Sequence, residues 1–219
     1  MNNDYFLGCK GANFLYEEIK DNIKSQILKQ KPADKIALNS YLGVIRFAEI
    51  KDVPYVVDLS KKESFSLGFI PKMAYTSAIT GIKTGKRWSP VCNDKMWVCE
   101  CNGDLVGFVL ASFGRINAKE RIGKVAQICL QTDARKLERG KMLLNAVLEY
   151  GKSINVSAFS CGCAHDLDSN MFWSAMGWEK IGERMGISCK NTWKQTSDRV
   201  VNIYKSQPLI IVPETTIIV

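Results

Sequence analysis

Apolar residues recur along this chain at two spacings, and the switches between them mark its elements. Phe14, Leu15, Ile19, Ile23, Ile27 and Leu28 fall at helical intervals with Glu17, Glu18, Lys20, Asp21 and Lys24 between them, which predicts a helix ended by Pro32. Over 44–50 the pattern alternates as in a strand. Asp52 is placed to cap a helix carrying Val56, Val57 and Leu59, with Pro54 tolerated in its first turn. A loop is expected at 67–71 and a second helix at 72–80. Strand-like runs at 96–101 and 105–113 flank Asn102-Gly103, a dipeptide that favours a two-residue hairpin because both positions accept positive φ. The remaining pattern predicts a strand ending at 127–131 and a helix over 138–153 with Leu143, Ala146, Val147 and Tyr150 on one face. A strand over 156–163, a helix over 168–176, a strand from Trp178 and a last strand over 199–204 follow.

The predicted order is β-α-α-β-β-β-α-β-α-β-β. A meander followed by strand–helix–strand implies a mixed α/β fold, a central mixed twisted sheet with helices on both faces. The reading divides the chain into a helical extension at 1–43, one domain at 44–206 and a β-prone tail at 207–219 that could engage a second copy in a homodimer.

Composition narrows the class. At 219 residues, 46% hydrophobic and 24% charged, the chain reads as globular. The longest loosely apolar stretch, 105–113, is far short of the roughly 18 residues a membrane span needs. The first residues lack a basic stretch followed by an apolar one, so a cytoplasmic location is expected. A net charge of +8 favours an anionic ligand; it is spread along the chain and does not by itself establish nucleic-acid binding. Of the eight cysteines, Cys99/Cys101 and Cys161/Cys163 are spaced to share a strand face. Cys161-x-Cys163-x-His165 looks like part of a zinc site, but pairs with the usual spacing are absent. The thiols are read as reduced core residues, with no metal.

The chemistry is expected at the turn after residue 131. Its helix start leaves backbone N–H groups without internal partners, and those donors attract an anion. Arg135, Lys136, Arg139 and Lys141 add positive charge, and Gly140 allows close approach to the backbone. The segment Leu130-Gln131-Thr132-Asp133-Ala134-Arg135-Lys136-Leu137-Glu138-Arg139-Gly140-Lys141 resembles the acetyl-CoA loop, R-G-x-G-x-G/A, of the GCN5-related N-acetyltransferases. Asn170-Met171-Phe172-Trp173-Ser174-Ala175-Met176-Gly177-Trp178 is similar to that family's A-x-x-F-Y-x-x-x-G-F element, and the resemblance covers about 44–206.

What the resemblance implies is an N-acetyltransferase that passes an acetyl group from acetyl-CoA to an amine by direct attack. The donor would lie where two parallel strands splay. It would meet the backbone of Ile128 and Leu130, the loop residues Arg135, Lys136, Leu137, Glu138, Arg139, Gly140 and Lys141, and Asn170 and Trp173. Phe69, Arg199 and Tyr204 would line the acceptor side. The departures are concrete: Lys136 and Glu138 stand where the first two glycines belong. Trp173 replaces the tyrosine many relatives use as acid, and Gln127 stands near the glutamate many use as base. His165, Glu63 and Asp166 are the candidate proton acceptors. The missing acid and base leave room for a module that binds acyl-CoA without turnover. The basic stretches at 83–87 and 115–124 leave room for an acyltransferase acting on nucleic acid.

Overall fold

A computed structural model describes residues 43–68, 70–83, 92–114, 120–185 and 199–209. The expected N-terminal helix, Phe69, the tail beyond Leu209, and residues 84–87 and 115–119 of the basic stretches lie outside them.

The described residues form seven strands: β1 Val44–Phe47, β2 Asp94–Cys101, β3 Asp104–Ser112, β4 Ile122–Leu130, β5 Ala158–Ala164, β6 Glu179–Met185 and β7 Val200–Lys205. The helices are α1 Val53–Lys62, α2 Ser64–Leu67, α3 Lys72–Thr80, α4 Arg139–Ser153 and α5 Ser169–Ala175. One sheet in the order β1-β2-β3-β4-β5-β7-β6 holds all seven strands. Neighbours are antiparallel except β4 and β5, which run parallel because α4 carries the chain back between them. The mixed sheet with helices on both faces is the fold the residue pattern predicts.

Two apolar clusters explain which helix lies where. Val53, Val56 and Leu59 of α1 and Tyr75 and Ala78 of α3 meet Met96, Val98, Phe108, Leu110 and Cys129 on one face. Leu143, Leu144 and Val147 of α4 and Trp173 of α5 meet Trp97, Val109, Val125, Phe159, Cys161 and Cys163 on the other. The hairpin closes through Asn102 (φ 53°) and Gly103 (φ 87°), the two positive angles its sequence allows.

Two local expectations change. A single turn of helix, α2, forms at the start of the stretch between α1 and α3. Asp52 does not cap α1; its carboxylate accepts the Glu49 amide at 2.8 Å and the Arg46 guanidinium at 2.7 and 3.1 Å. Burial pushes that carboxyl up, but the Arg46 and Glu49 bonds outweigh burial and hold it below its ordinary value. Among the described residues no helix is long and apolar enough to cross a membrane.

Candidate active site

The site begins with a defect in β4. Leu110 pairs with Gln127 and Ala111 with Val125, so Ala126 is an extra residue in the ladder. The bulge shifts the alternation: Val125 faces α4, whereas Gln127 and Cys129 face α1 and α3. It also coincides with the parting of the central strands. β4 and β5 pair only at Ile122–Lys124 with Ala158–Ser160, and beyond that no strand among the described residues pairs with the open edge of β4. The Gln131 amide bonds the Val106 carbonyl, which fixes the ladder's phase. Residues 127, 129 and 131 therefore turn their backbone toward β3, and the amides of Ile128 and Leu130 point into the gap.

The loop at the end of the gap has the backbone of a glycine loop without its glycines. Lys136 (φ 63°) and Glu138 (φ 62°) are both left-handed. Only Asn102 and Asn155 share that property among the described non-glycine residues, and asparagine tolerates it. Both residues are exposed. Glu138 occupies the N-cap position of α4 without a side-chain cap. The start of an α-helix, where backbone N–H groups lack the carbonyl four residues back, favours an anion. Gly140 fits α4 against its neighbours: a Cβ there would lie 3.3 Å from Phe172 and 3.7 Å from Leu130. The Arg139 side chain is buried, its guanidinium donating to the Ala134 carbonyl at 3.4 Å and Cys101 Sγ at 3.2 Å, so it braces the loop from beneath.

On the opposite face, Gln127 is buried and committed at both ends. Its Oε1 accepts the Tyr75 hydroxyl at 2.7 Å, and its Nε2 donates to the carbonyls of Leu67 and Gly68 at 3.4 and 3.3 Å. The residue near the usual base position is thus a brace between β4, α3 and the stretch after α2. Glu63, between α1 and α2, meets Arg135 Nη2 at 3.0 Å, while Arg135 Nε donates to the Leu130 carbonyl at 3.2 Å. Burial pushes the Cys129 thiol up to about 12, and the nearby Glu63 carboxylate adds to the effect.

The other predicted residues separate into two groups. Asn170 lies in the first turn of α5 with its Nδ2 shared among the carbonyls of Ala164 (2.8 Å), His165 (3.2 Å) and Leu167 (2.7 Å). Its Oδ1 accepts Asn202 Nδ2 and the Tyr204 hydroxyl, both at 2.9 Å. Asn170 and Tyr204 therefore bond each other. Trp173 is buried against Trp178, with ring centroids 4.8 Å apart. Arg199 grips Asp166 bidentately, Nε donating to Oδ1 at 3.2 Å and Nη2 to Oδ2 at 2.9 Å, and the guanidinium lies 4.1 Å over the Phe65 ring. Because Phe65 belongs to α2 and Asp166 follows β5, this cluster links the two sides of the gap. His165 is exposed on the turn after β5. Cys161 and Cys163 share the buried face with Phe159, and among the described residues no three metal-ligating side chains converge.

Sequence reasoning passed over Tyr55. Its hydroxyl is buried and finds no hydrogen-bond partner among the described residues. Burial, the largest influence, pushes the phenol up from its ordinary value.

The Ile128 and Leu130 amides, the left-handed loop and the start of α4 follow one another at the end of the gap. Residues 73–178 match the sequence pattern of the Acetyltransferase (GNAT) family. No curated protein matches the chain in sequence. Among solved structures, the ribosomal-protein-S18-alanine N-acetyltransferase from Escherichia coli is similar at a TM-score of 0.57 and 12% identity, covering 79% of this chain and 97% of that one. Arabidopsis thaliana NAA60 in complex with acetyl-CoA is similar at 0.60 and 12% identity, covering 74% and 96%. The ribosomal-protein-alanine N-acetyltransferase from Brucella melitensis is similar at 0.52 and 14% identity, covering 75% and 99%. At these identities the likeness is one of fold.

Proposed function

We propose that this chain, whose residues 73–178 match the GNAT acetyltransferase family, takes acetyl-CoA as its donor and acetylates the amine of a small molecule or of a protein by direct attack. The observation that carries this reading is the gap itself: β4 and β5 pair for three residues and then part, with the loop at 135–140 at its open end. Two of the solved neighbours named above are N-acetyltransferases, which supports nitrogen as the acceptor atom.

Bound acetyl-CoA supplies an acetyl carbonyl activated as a thioester. The amides of the loop and the first turn of α4 hold its diphosphate, and the Ile128 and Leu130 backbone aligns its arm. The Leu130 amide polarises the carbonyl as negative charge develops on its oxygen. The amine approaches from the face carrying Glu63, Phe65 and Arg199. As nitrogen bonds to the carbonyl carbon and the carbon–sulfur bond breaks, Glu63 receives the proton the nitrogen loses. The sulfur leaves as thiolate and takes a proton from solvent. Trp173 is buried and has no acidic proton to give. A thiol ionises at about 8.5, so departure without an acid is tolerable at neutral pH. Most of the rate then rests on positioning.

Calorimetry with coenzyme A, followed by free-thiol release from acetyl-CoA across an amine panel, tests the reading. Saturable binding with amine-dependent release is expected. No binding at millimolar coenzyme A sinks it.

A further inference from the structure

Arg135, in extended backbone, comes immediately before the left-handed Lys136 in the loop. The Arg135 side chain folds over the end of β4, where Nε meets the Leu130 carbonyl and Nη2 meets Glu63. The two partners are unequally placed. The Arg135 side chain is 45% exposed and that of Glu63 only 17%, so the guanidinium lies on the solvent side and covers the carboxylate. The carboxylate beneath it is the one close enough to act on Cys129, on the α1 and α3 face of β4.

A half-exposed ion pair is weak, because water screens it and two long side chains must be held. A guanidinium finds a stronger partner in a diphosphate, which offers charge and matched acceptor geometry together. We propose that the Arg135–Glu63 pair is a latch operated by the donor: the diphosphate of incoming acetyl-CoA draws Arg135 off Glu63 and releases that carboxylate to receive the amine proton. The inference rests on the acetyl-transfer reading above and adds its regulation. An unloaded site keeps its proton acceptor occupied, and loading the donor frees it.

The latch makes the carboxylate a competitor of the diphosphate, and that has a sign no bracing role would produce. Calorimetric dissociation constants for coenzyme A are measured on the full chain, on Glu63→Gln, on Arg135→Gln and on the double variant. Thermal melts confirm that each is folded. Glu63→Gln should bind coenzyme A about threefold more tightly, since Arg135 no longer has to be taken from a carboxylate. Arg135→Gln should bind about tenfold more weakly. In the Arg135→Gln background, Glu63→Gln should change the affinity by less than about twofold, because nothing remains to compete for. With acetyl-CoA saturating, Glu63→Gln should still lower kcat at least about tenfold, so one substitution improves donor binding and impairs transfer. The latch is overturned if Glu63→Gln leaves affinity unchanged or weakens it. It is equally overturned by the same gain in both backgrounds, which would mark plain repulsion between carboxylate and phosphate. Coenzyme A that binds normally with no gain removes the latch and spares the transferase reading; coenzyme A that does not bind at all removes both.

Discussion

The loop at 135–140 and the side-chain positions Gln127, Asn170 and Trp173 both depart from, or are redeployed within, the pattern of an acetyl-CoA site, and they fare differently. In the loop, two residues that should be glycine are Lys136 and Glu138, yet the backbone keeps the left-handed shape. At the side-chain positions the atoms are spent elsewhere. Gln127 braces α3 and the stretch after α2, Asn170 ties together the β5–α5 turn and β7, and Trp173 fills the core. A role carried by main-chain amides survives substitution if the surroundings hold φ and ψ. A role carried by a particular side-chain atom does not outlast its recruitment into packing.

The sharpest way to break that contrast is to truncate Asn170. Asn170→Ala leaves two buried donors, Asn202 Nδ2 and the Tyr204 hydroxyl, without their acceptor and removes the donor shared by three carbonyls. Urea unfolding should show a loss of about 3–5 kcal/mol, the sum of several unmade buried bonds. If stability holds and only coenzyme A affinity falls, Asn170 is a ligand contact and the contrast is wrong on that side.

Gln127→Glu comes next. It restores a carboxyl near the usual base position but turns a donor toward the Leu67 and Gly68 carbonyls into an acceptor. A loss of about 2–3 kcal/mol with no gain in kcat is expected. A rise in activity would mean that the position had kept its chemistry.

The Arg46–Asp52 pair supplies a control outside the site, where side chains act in structure alone. The Asp52 carboxyl is held below its ordinary value in the folded chain, so the unfolded chain binds more protons in the acid range. Its contribution is complete above the ordinary carboxylate range and fades as pH falls through the folded value. Asp52→Asn should cost about 2 kcal/mol near neutrality and flatten that acid limb, with coenzyme A affinity unchanged. An acid limb that stays steep would assign it to other carboxylates.

Much of this was legible in the residues, for identifiable reasons. Asn102-Gly103 announced its hairpin because few dipeptides accept two positive φ angles. The face of α4 and the strand–turn–helix before it followed from local periodicity. What escaped detection depended on partners far away in sequence. Nothing near Ala126 signals an extra residue, since the bulge exists only in register with β3. Asp52 reads as a helix cap until Arg46 is brought beside it. Gln127 and Asn170 show their function only when Gly68 and Asn202, 59 and 32 positions away, arrive to bond them. Tyr55 looks like an ordinary amphipathic position until its hydroxyl is found buried without a partner among the described residues.

The smallest effect bears on the other half of the contrast, the loop. If the surroundings impose the left-handed backbone on Lys136 and Glu138, that shape costs each residue about 1 kcal/mol that glycine would not incur. Glycine also gains freedom in the unfolded chain, which offsets part of the relief. Lys136→Gly and Glu138→Gly should therefore each stabilise the fold by no more than about 1 kcal/mol. Their effects on coenzyme A should differ. Glu138→Gly removes a carboxylate from the start of α4, where its charge opposes an arriving phosphate, and should tighten binding modestly. Lys136→Gly removes a cation and should weaken it by a similar amount. Equal stabilisation with opposite shifts in affinity would show that the backbone shape is set by the fold and the side chains only tune the charge around it. Destabilisation by either glycine would show instead that these side chains hold the loop, and the amides could no longer be treated as independent of the residues that carry them.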